Sequence, residues 1–328
     1  MITRVFKKSN KKLFDLKLFV HIPKTAGTSF RNGIENQSTV ICDYEQRSPS
    51  TSKIVQESIY KEQDFFKLYK KLEKENVDWL SGHVSVTKYS NFVDPRNIVA
   101  FFRDPLEQTF SHYKHQVKHM NYKGDIEKFI EEKRFVNFQH KWIAGFPIEL
   151  IGVIGITELY NDSIAIVNKQ LGLNVPPLSS NVNADKGDKA EILTKKLAHR
   201  LRAISPNDFF IYNKAKWLLN NRKELHEKKL TWVHGIAHIN AKNEIVGDAW
   251  NESNDELVTL CIIADDKEIA TVNASLLYQG HIKAKLPRGS YISYKYCIPD
   301  ELKNSDHFDV VVKQTRQKLN YGPLKIKV

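Results

Sequence analysis

Cysteine is scarce in this chain: three residues among 328, Cys42, Cys261 and Cys297, with no C-x-x-C pair. That excludes a disulfide scaffold, argues against a structural zinc site and fits a reducing compartment. Long apolar runs are missing as well. The stretch Leu150 to Ile156 is interrupted by Gly152 and Gly155, far short of the roughly 20 residues that a membrane helix needs. The basic start (Arg4, Lys7, Lys8, Lys11, Lys12) runs into a mixed segment, Leu13 to Ile22, with Asp15, Lys17 and no small-residue cleavage site. It does not read as a signal peptide, and the expected location is the cytoplasm. No repeat or low-complexity tract occurs. With 41% hydrophobic and 27% charged residues, disordered and collagen-like classes do not fit, and the apolar content suffices for one large or two modest cores.

A charge excess is absent from one part of the chain. Residues 230–328 hold 12 Lys and Arg against 12 Asp and Glu, so the whole net charge of +12 lies in residues 1–229, with 38 against 26. Such a field attracts a polyanion: nucleic acid, an anionic lipid surface, a charged glycan or a multiply phosphorylated cofactor.

Periodicity changes at the same place. Before it, buried strands are expected at Leu16–Ile22, Asn97–Arg103 and Leu150–Ile156, with a strand-like segment at Val77–Leu80. Helices are expected at Thr28–Ile34, Ile54–Glu75, from Pro105, at Asp125–Ala144, Tyr160–Leu171, Lys186–Ile204 and Tyr212–Lys229. Strands alternating with helices imply an α/β region, a parallel sheet flanked by helices over residues 1–229. From residue 230 the pattern is short and alternating: Thr231–Ile239, Glu244–Ala249, Glu256–Asp265, Glu268–Ala274, Gly280–Lys285, Ser290–Ile298 and Phe308–Lys313. That predicts a small all-β sandwich over 230–328.

The segment Leu18-Phe-Val-His-Ile-Pro-Lys-Thr-Ala-Gly-Thr-Ser-Phe30 carries the chemistry. A strand feeding Lys24, Thr25, Ala26, Gly27, Thr28 and Ser29 before a helix aims backbone N–H groups and a positive helix end at an anion. It is not the G-x-x-x-x-G-K-[ST] loop of nucleoside triphosphatases, because the lysine precedes the loop and Gly27 is its one glycine. A second segment, Asn97-Ile-Val-Ala-Phe-Phe-Arg103-Asp-Pro-Leu-Glu-Gln-Thr-Phe-Ser111-His-Tyr113, places Arg103 at a strand end and Ser111 about two helical turns on. Both can meet one phosphate over the sheet's C-terminal edge.

Together these segments resemble the sulfotransferases that use 3′-phosphoadenosine 5′-phosphosulfate (PAPS), and among them the branch of heparan and uronyl 2-O-sulfotransferases with their bacterial relatives. His21 to Ser29 resembles that family's 5′-phosphosulfate loop, and Arg103-Asp-Pro with Ser111-His-Tyr113 its 3′-phosphate element. Weaker similarity runs through Gly82-His83-Val84, Gly155 to Glu158, Asn181 to Asp185 and Asp208 to Tyr212. The chain departs from the pattern at Gln108, where many members carry a second arginine, and at Ser81, where the 2-O-sulfotransferases carry a first histidine.

The resemblance implies a P-loop-like sulfotransferase fold and transfer of a sulfuryl group from PAPS to a hydroxyl, releasing PAP, with no metal required. It assigns Lys24 the 5′-phosphate and bridging oxygen. Thr25, Ala26, Gly27, Thr28 and Ser29 hold the 5′-phosphosulfate, Arg103 and Ser111 the 3′-phosphate, and His83 is the general base. His21 is expected to pack beneath the site. His112, His115 and His119 read as a basic helix face that attracts the acceptor at most, not as zinc ligands.

The expected acceptor is a glycan, with small alcohol, lipid and tyrosine acceptors left open, and no nucleic acid is expected as partner. A membrane contact through the basic region and a homodimer contact are further expectations. Glu244 to Trp250 weakly resembles β modules attached to glycan-modifying enzymes, which would bind a polysaccharide or make a dimer contact. The opposing reading is a non-catalytic protein that holds a sulfated glycan or nucleic acid on its basic face.

Overall fold

The computed structural model of the protein describes residues 14–178 and 194–326. The Asn181 to Asp185 match, the basic N-terminal arm and the start of the helix expected from Lys186 lie outside the described residues.

Five short strands form one parallel sheet: β1 (Lys17–Val20), β2 (Val40–Asp43), β3 (Trp79–Gly82), β4 (Ile98–Phe102) and β5 (Val153–Ile156), in the order β2-β3-β1-β4-β5. Their residues are mostly apolar and buried without alternation because helices cover both faces. Phe19, Val20, Trp79, Leu80, Phe101 and Phe102 are fully buried. The covering helices are α1 (Gly27–Glu35), α2 (Lys53–Val55), which continues as a π-helical turn at Gln56–Lys61, α3 (Phe65–Lys74), α4 (Val86–Tyr89), α5 (Pro105–His119), α6 (Ile126–Glu131), α7 (Phe138–Ile143), α8 (Tyr160–Leu171), α9 (Lys195–Ile204) and α10 (Pro206–Glu227).

Two helices expected as single rods are broken. Gln63 adopts a left-handed backbone (φ 56°) and Asp64 caps α3 by accepting from the Lys67 N–H at 2.8 Å, so Ile54–Glu75 splits there. Asp125–Ala144 splits into α6 and α7, with Asn137 left-handed before α7.

After α10 the chain becomes antiparallel. Strands β6 (Val233–Ile239), β7 (Glu244–Asn251), β8 (Thr259–Ala264), β9 (Lys267–Asn273), β10 (Leu276–Leu277), β11 (Tyr291–Cys297) and β12 (Phe308–Val312) make two sheets, β10-β11-β7-β6 and β12-β8-β9. Ile245, Ala249 and Tyr294 from the first meet Leu260, Ile262, Phe308 and Val310 from the second in a shared core. Gly247 is required by close approach: a Cβ there would lie 1.9 Å from the Ile236 carbonyl oxygen. The expected strand Gly280–Lys285 does not form. Its alternating Ile282, Ala284 and Leu286 pack on the main core instead, and Lys285 N–H donates to the Val93 carbonyl at 3.0 Å.

The two architectures share material. Trp232, Trp250 and Ile292 belong to the core of the parallel sheet. Arg222, on α10 and nearly inaccessible, donates to the Gly152 carbonyl at 2.6 Å and from Nε to Glu252 at 3.0 Å. His226 lies 2.7 Å from the other Glu252 oxygen.

Candidate functional site

The strand order places β3 and β4 on either side of β1, with Val20 in register with both Gly82 and Ala100. This is the switch point of the sheet, where ligands of open α/β sheets bind beyond the strands' carboxyl ends. The segments leaving β1, β3 and β4 there carry Lys24, His83 and Arg103, so topology brings three residues distant in sequence to one edge.

The loop after β1 is held open to an anion. Lys24 (φ 70°) and Ala26 (φ 64°) are both left-handed, and Ala26 stands at the N-terminal cap of α1. Alternating hand along such a stretch points successive N–H groups into one concavity. Among the described residues, none of the N–H groups of residues 24–28 has a hydrogen-bond acceptor. The Ser29 N–H turns back to the Ala26 carbonyl at 3.2 Å. Thr25 is fully buried and its hydroxyl donates to the Ile22 carbonyl at 2.9 Å, so its free group is the backbone N–H.

The loop is braced from below. Gln108, nearly inaccessible on α5, donates from Nε2 to the Pro23 carbonyl at 3.1 Å, so the residue in place of the second arginine supports the loop. His21 also lies beneath it: a Cβ at Gly27 would fall 2.1 Å from the His21 ring, which leaves room for glycine alone. His21 stacks on Phe19 and its Nδ1 is 2.8 Å from the Tyr44 hydroxyl.

Arg103 closes the other side, donating from Nη1 to the Lys24 carbonyl at 3.3 Å. Its backbone is clamped by Gln139, which accepts from the Arg103 N–H at 2.9 Å and donates to its carbonyl at 2.8 Å. Gln139 is fixed in turn by Asp208, whose carboxylate accepts from the Gln139 and His140 N–H groups at the start of α7. Burial outweighs those bonds and pushes the Asp208 carboxyl up to about 6. The Arg103 guanidinium faces Glu107 at 3.6 Å and Glu158 at 4.0 Å, loose and partly exposed pairs of small worth, and its buried Nε has no hydrogen-bond partner. Burial and the nearby Arg103 charge lower the Lys24 ammonium from its usual range. Ser111 is half-buried on α5 with its hydroxyl unpaired among the described residues.

His83, just past β3, lies among rings: Tyr44 at 4.7 Å, His21 at 4.9 Å and Trp142 at 6.1 Å between centroids. Neither ring nitrogen has a hydrogen-bond partner among the described residues. Burial, then the charges of Arg31 and His115, push it down to about 4, so it is a neutral imidazole at pH 7. His115 is lowered by burial and then by the charges of Lys24 and His119. Sequence reading gave no local signal for Arg31, Tyr44 or Trp142, which arrive from α1, the end of β2 and α7. His112 differs from expectation. It is buried against Phe129, Phe135 and Phe138 and pushed down to about 4, chiefly by burial, so it is a core residue and cannot attract an acceptor. Among the described residues, no group of three or more His, Cys, Asp or Glu is placed to hold a metal ion.

These histidines make the fold acid-sensitive. His21 and His234 are held near 3 and His83 and His112 near 4, each chiefly by burial, against 6.5 when unfolded. The unfolded chain therefore binds more protons below pH 6.5, and the stability these groups confer is full above 6.5 and lost as pH falls toward 4. Each forfeits up to about 2 kcal/mol by pH 5. Asp208, held near 6, and Asp248, raised by burial, oppose this, but two groups do not offset four. The melting temperature is expected to fall steadily from pH 7.5 to 5 in calorimetry at constant salt, and a flat or rising profile would contradict the assignment.

No protein-family model matches the sequence, and no curated protein matches it. Among solved structures, the chain is similar to the crystal structure of a sulfotransferase from Alicyclobacillus acidocaldarius. The match covers 60% of this chain and 98% of the other, at 15% identity and a TM-score of 0.32. A superposition that loose adds nothing to the geometry above. No helix among the described residues is long and apolar enough to cross a membrane.

Proposed function

We propose that the protein is a PAPS-dependent sulfotransferase that sulfates a hydroxyl of a glycan and releases PAP. The observation that carries this reading is the run of open N–H groups from Lys24 to Thr28, between Lys24 and Arg103 at the sheet's switch point and with an unpaired histidine across from it. The donor set fits PAPS. The loop amides, with the hydroxyls of Thr28 and Ser29, suit the 5′-phosphosulfate, while Arg103 and Ser111 suit the 3′-phosphate that distinguishes PAPS from ATP.

In the transfer, the acceptor oxygen forms its bond to sulfur as the bond from sulfur to the 5′-phosphate oxygen breaks, and the acceptor proton passes to His83. Lys24 neutralises the charge that develops on the leaving oxygen, and the fixed loop amides do so without reorganising. The resemblance to the 2-O-sulfotransferase branch favours a glycan acceptor, although that branch's first histidine is replaced by Ser81. On this reading residues 1–229 hold the chemistry and 230–328 form an accessory module. Three free thiols suit work in the cytoplasm.

Isothermal calorimetry of PAP and ATP without added metal tests the assignment. Micromolar PAP binding is expected, with ATP much weaker and PAP affinity lost in Arg103→Ala by about tenfold or more, the worth of charge-assisted bonds to one phosphate. Equal binding of the two nucleotides, or none of PAP, would overturn it.

A further inference from the structure

A cleft of about 910 Å³ lies between α7 and the β module, in the size range of a site for an extended small ligand. Its floor is one face of the four-stranded sheet. Across β6, β7, β11 and β10, the residues Ile236, Asp248, Ser293 and Leu276 stand side by side, and His238, Val246 and Lys295 form the next row. The wall opposite comes from α7 and the loop after it, including His140, Ile143 and Pro147, and the rim is the segment Tyr278–Ile282.

The cleft is tied to the base. Trp142, between the wall residues His140 and Ile143 on α7, is one of the three rings around His83. The irregular segment that continues from the rim is stitched to the segment that leaves His83: Ser90 Oγ donates to the Lys283 carbonyl at 2.6 Å, and Lys285 N–H to the Val93 carbonyl. One wall thus separates the cleft from the reacting centre.

The floor's chemistry selects an occupant. Its formal charges are one carboxylate and one ammonium, and Lys295 is already engaged by Glu244 at 3.3 Å. No surplus charge faces the cleft, in contrast to the basic region beside it. Val246, Ile236 and the half-exposed Leu276 offer apolar surface at the spacing of the strands. Between them Asp248 takes a bond from the Ser293 hydroxyl at 2.5 Å on one oxygen and has no donor to the other among the described residues, while His238 and Gln279 are exposed. Apolar patches alternating with open acceptors and donors, without net charge, match the C–H faces and hydroxyls of a neutral sugar chain.

We propose that this cleft binds the acceptor as an uncharged glycan, laid across the open sheet face of the β module and led over α7 to His83. The proposal rests on the sulfotransferase reading. It makes the β module part of the acceptor site, and Asp248 and His238 specificity-determining residues that grip sugar hydroxyls.

The test is binding of neutral tetrasaccharides of glucose, galactose, mannose and N-acetylglucosamine to the full chain, by saturation-transfer NMR and calorimetry, with a heparin tetrasaccharide as the anionic comparison and PAP titrated in parallel. At least one neutral chain is expected to bind, and Asp248→Asn and His238→Ala each to weaken it about tenfold with PAP affinity unchanged, as loss of a hydrogen bond to a carboxylate or imidazole predicts. His238 is exposed, so its variant folds even if the Asp248 variant does not. Binding of the heparin chain alone, of no sugar, or equally by both variants would overturn the proposal. Sugar binding without PAP binding would leave a glycan site, remove its acceptor role and sink the sulfotransferase reading separately.

Discussion

Lys24→Ala is expected to lower turnover at least about a hundredfold, the usual cost of removing a charge stabiliser from a transferring group. The expectation follows from placement. Lys24 begins the run of unpartnered amides, its ammonium is held below its usual range by burial and Arg103, and its carbonyl is fixed by the Arg103 guanidinium. Among the described residues its side chain has no acidic partner to compete for it. Lys24→Arg keeps the charge but needs more room, so a partial rescue would identify charge as the contribution, and no rescue would identify fit. Steady-state rates with PAPS and a sulfatable glycan check both variants, and near-native turnover in Lys24→Ala would remove it from the mechanism.

His83→Ala is expected to cost a similar factor in turnover while leaving PAP affinity close to native, because on the proposed reading the ring serves the acceptor and it has no hydrogen-bond partner among the described residues. Its pH signature is distinctive. A base at its ordinary value would give kcat/KM an acid limb near 6.5, whereas burial and the Arg31 and His115 charges hold His83 near 4 in the free protein. The base form is the one that works, so activity is full above that value and lost as pH falls through it. Over pH 5.5 to 8 kcat/KM is expected to be flat, measured where the protein remains folded. An acid limb centred near 6.5 that survives in His83→Ala would place the base elsewhere.

The parallel sheet was legible through the apolar runs of β1, β4 and β5, and the candidate site was proposed because Pro23-Lys24 and Arg103-Asp104-Pro105 sit where such runs end. What escaped has physical reasons. Strand β2 has four residues and too little pattern to stand out beside its neighbours. Gly280–Lys285 has the alternation of a strand, yet those apolar residues face a core without a neighbouring strand to pair with, and periodicity cannot tell the two apart. Asp64, a helix cap inside an apparently continuous helical stretch, was a readable sign of the break before α3. The ring cage around His83 was unreadable in principle, since Tyr44 and Trp142 meet it only through the order of strands. His112 shares a helix face with His115 by spacing, but spacing does not say that α6, the turn after it and the start of α7 bring Phe129, Phe135 and Phe138 over that part of α5.

The bond between Arg222 and Glu252 reaches further than its two residues. A guanidinium sealed under the parallel sheet is tolerable because a carboxylate neutralises it, and that carboxylate is contributed from beyond the point where the architecture changes. Topology, composition and net charge all switch near residue 230, but this ion pair does not stop there: the carboxylate that Arg222 needs comes from the β module, so the two architectures are locked to each other at a buried charge.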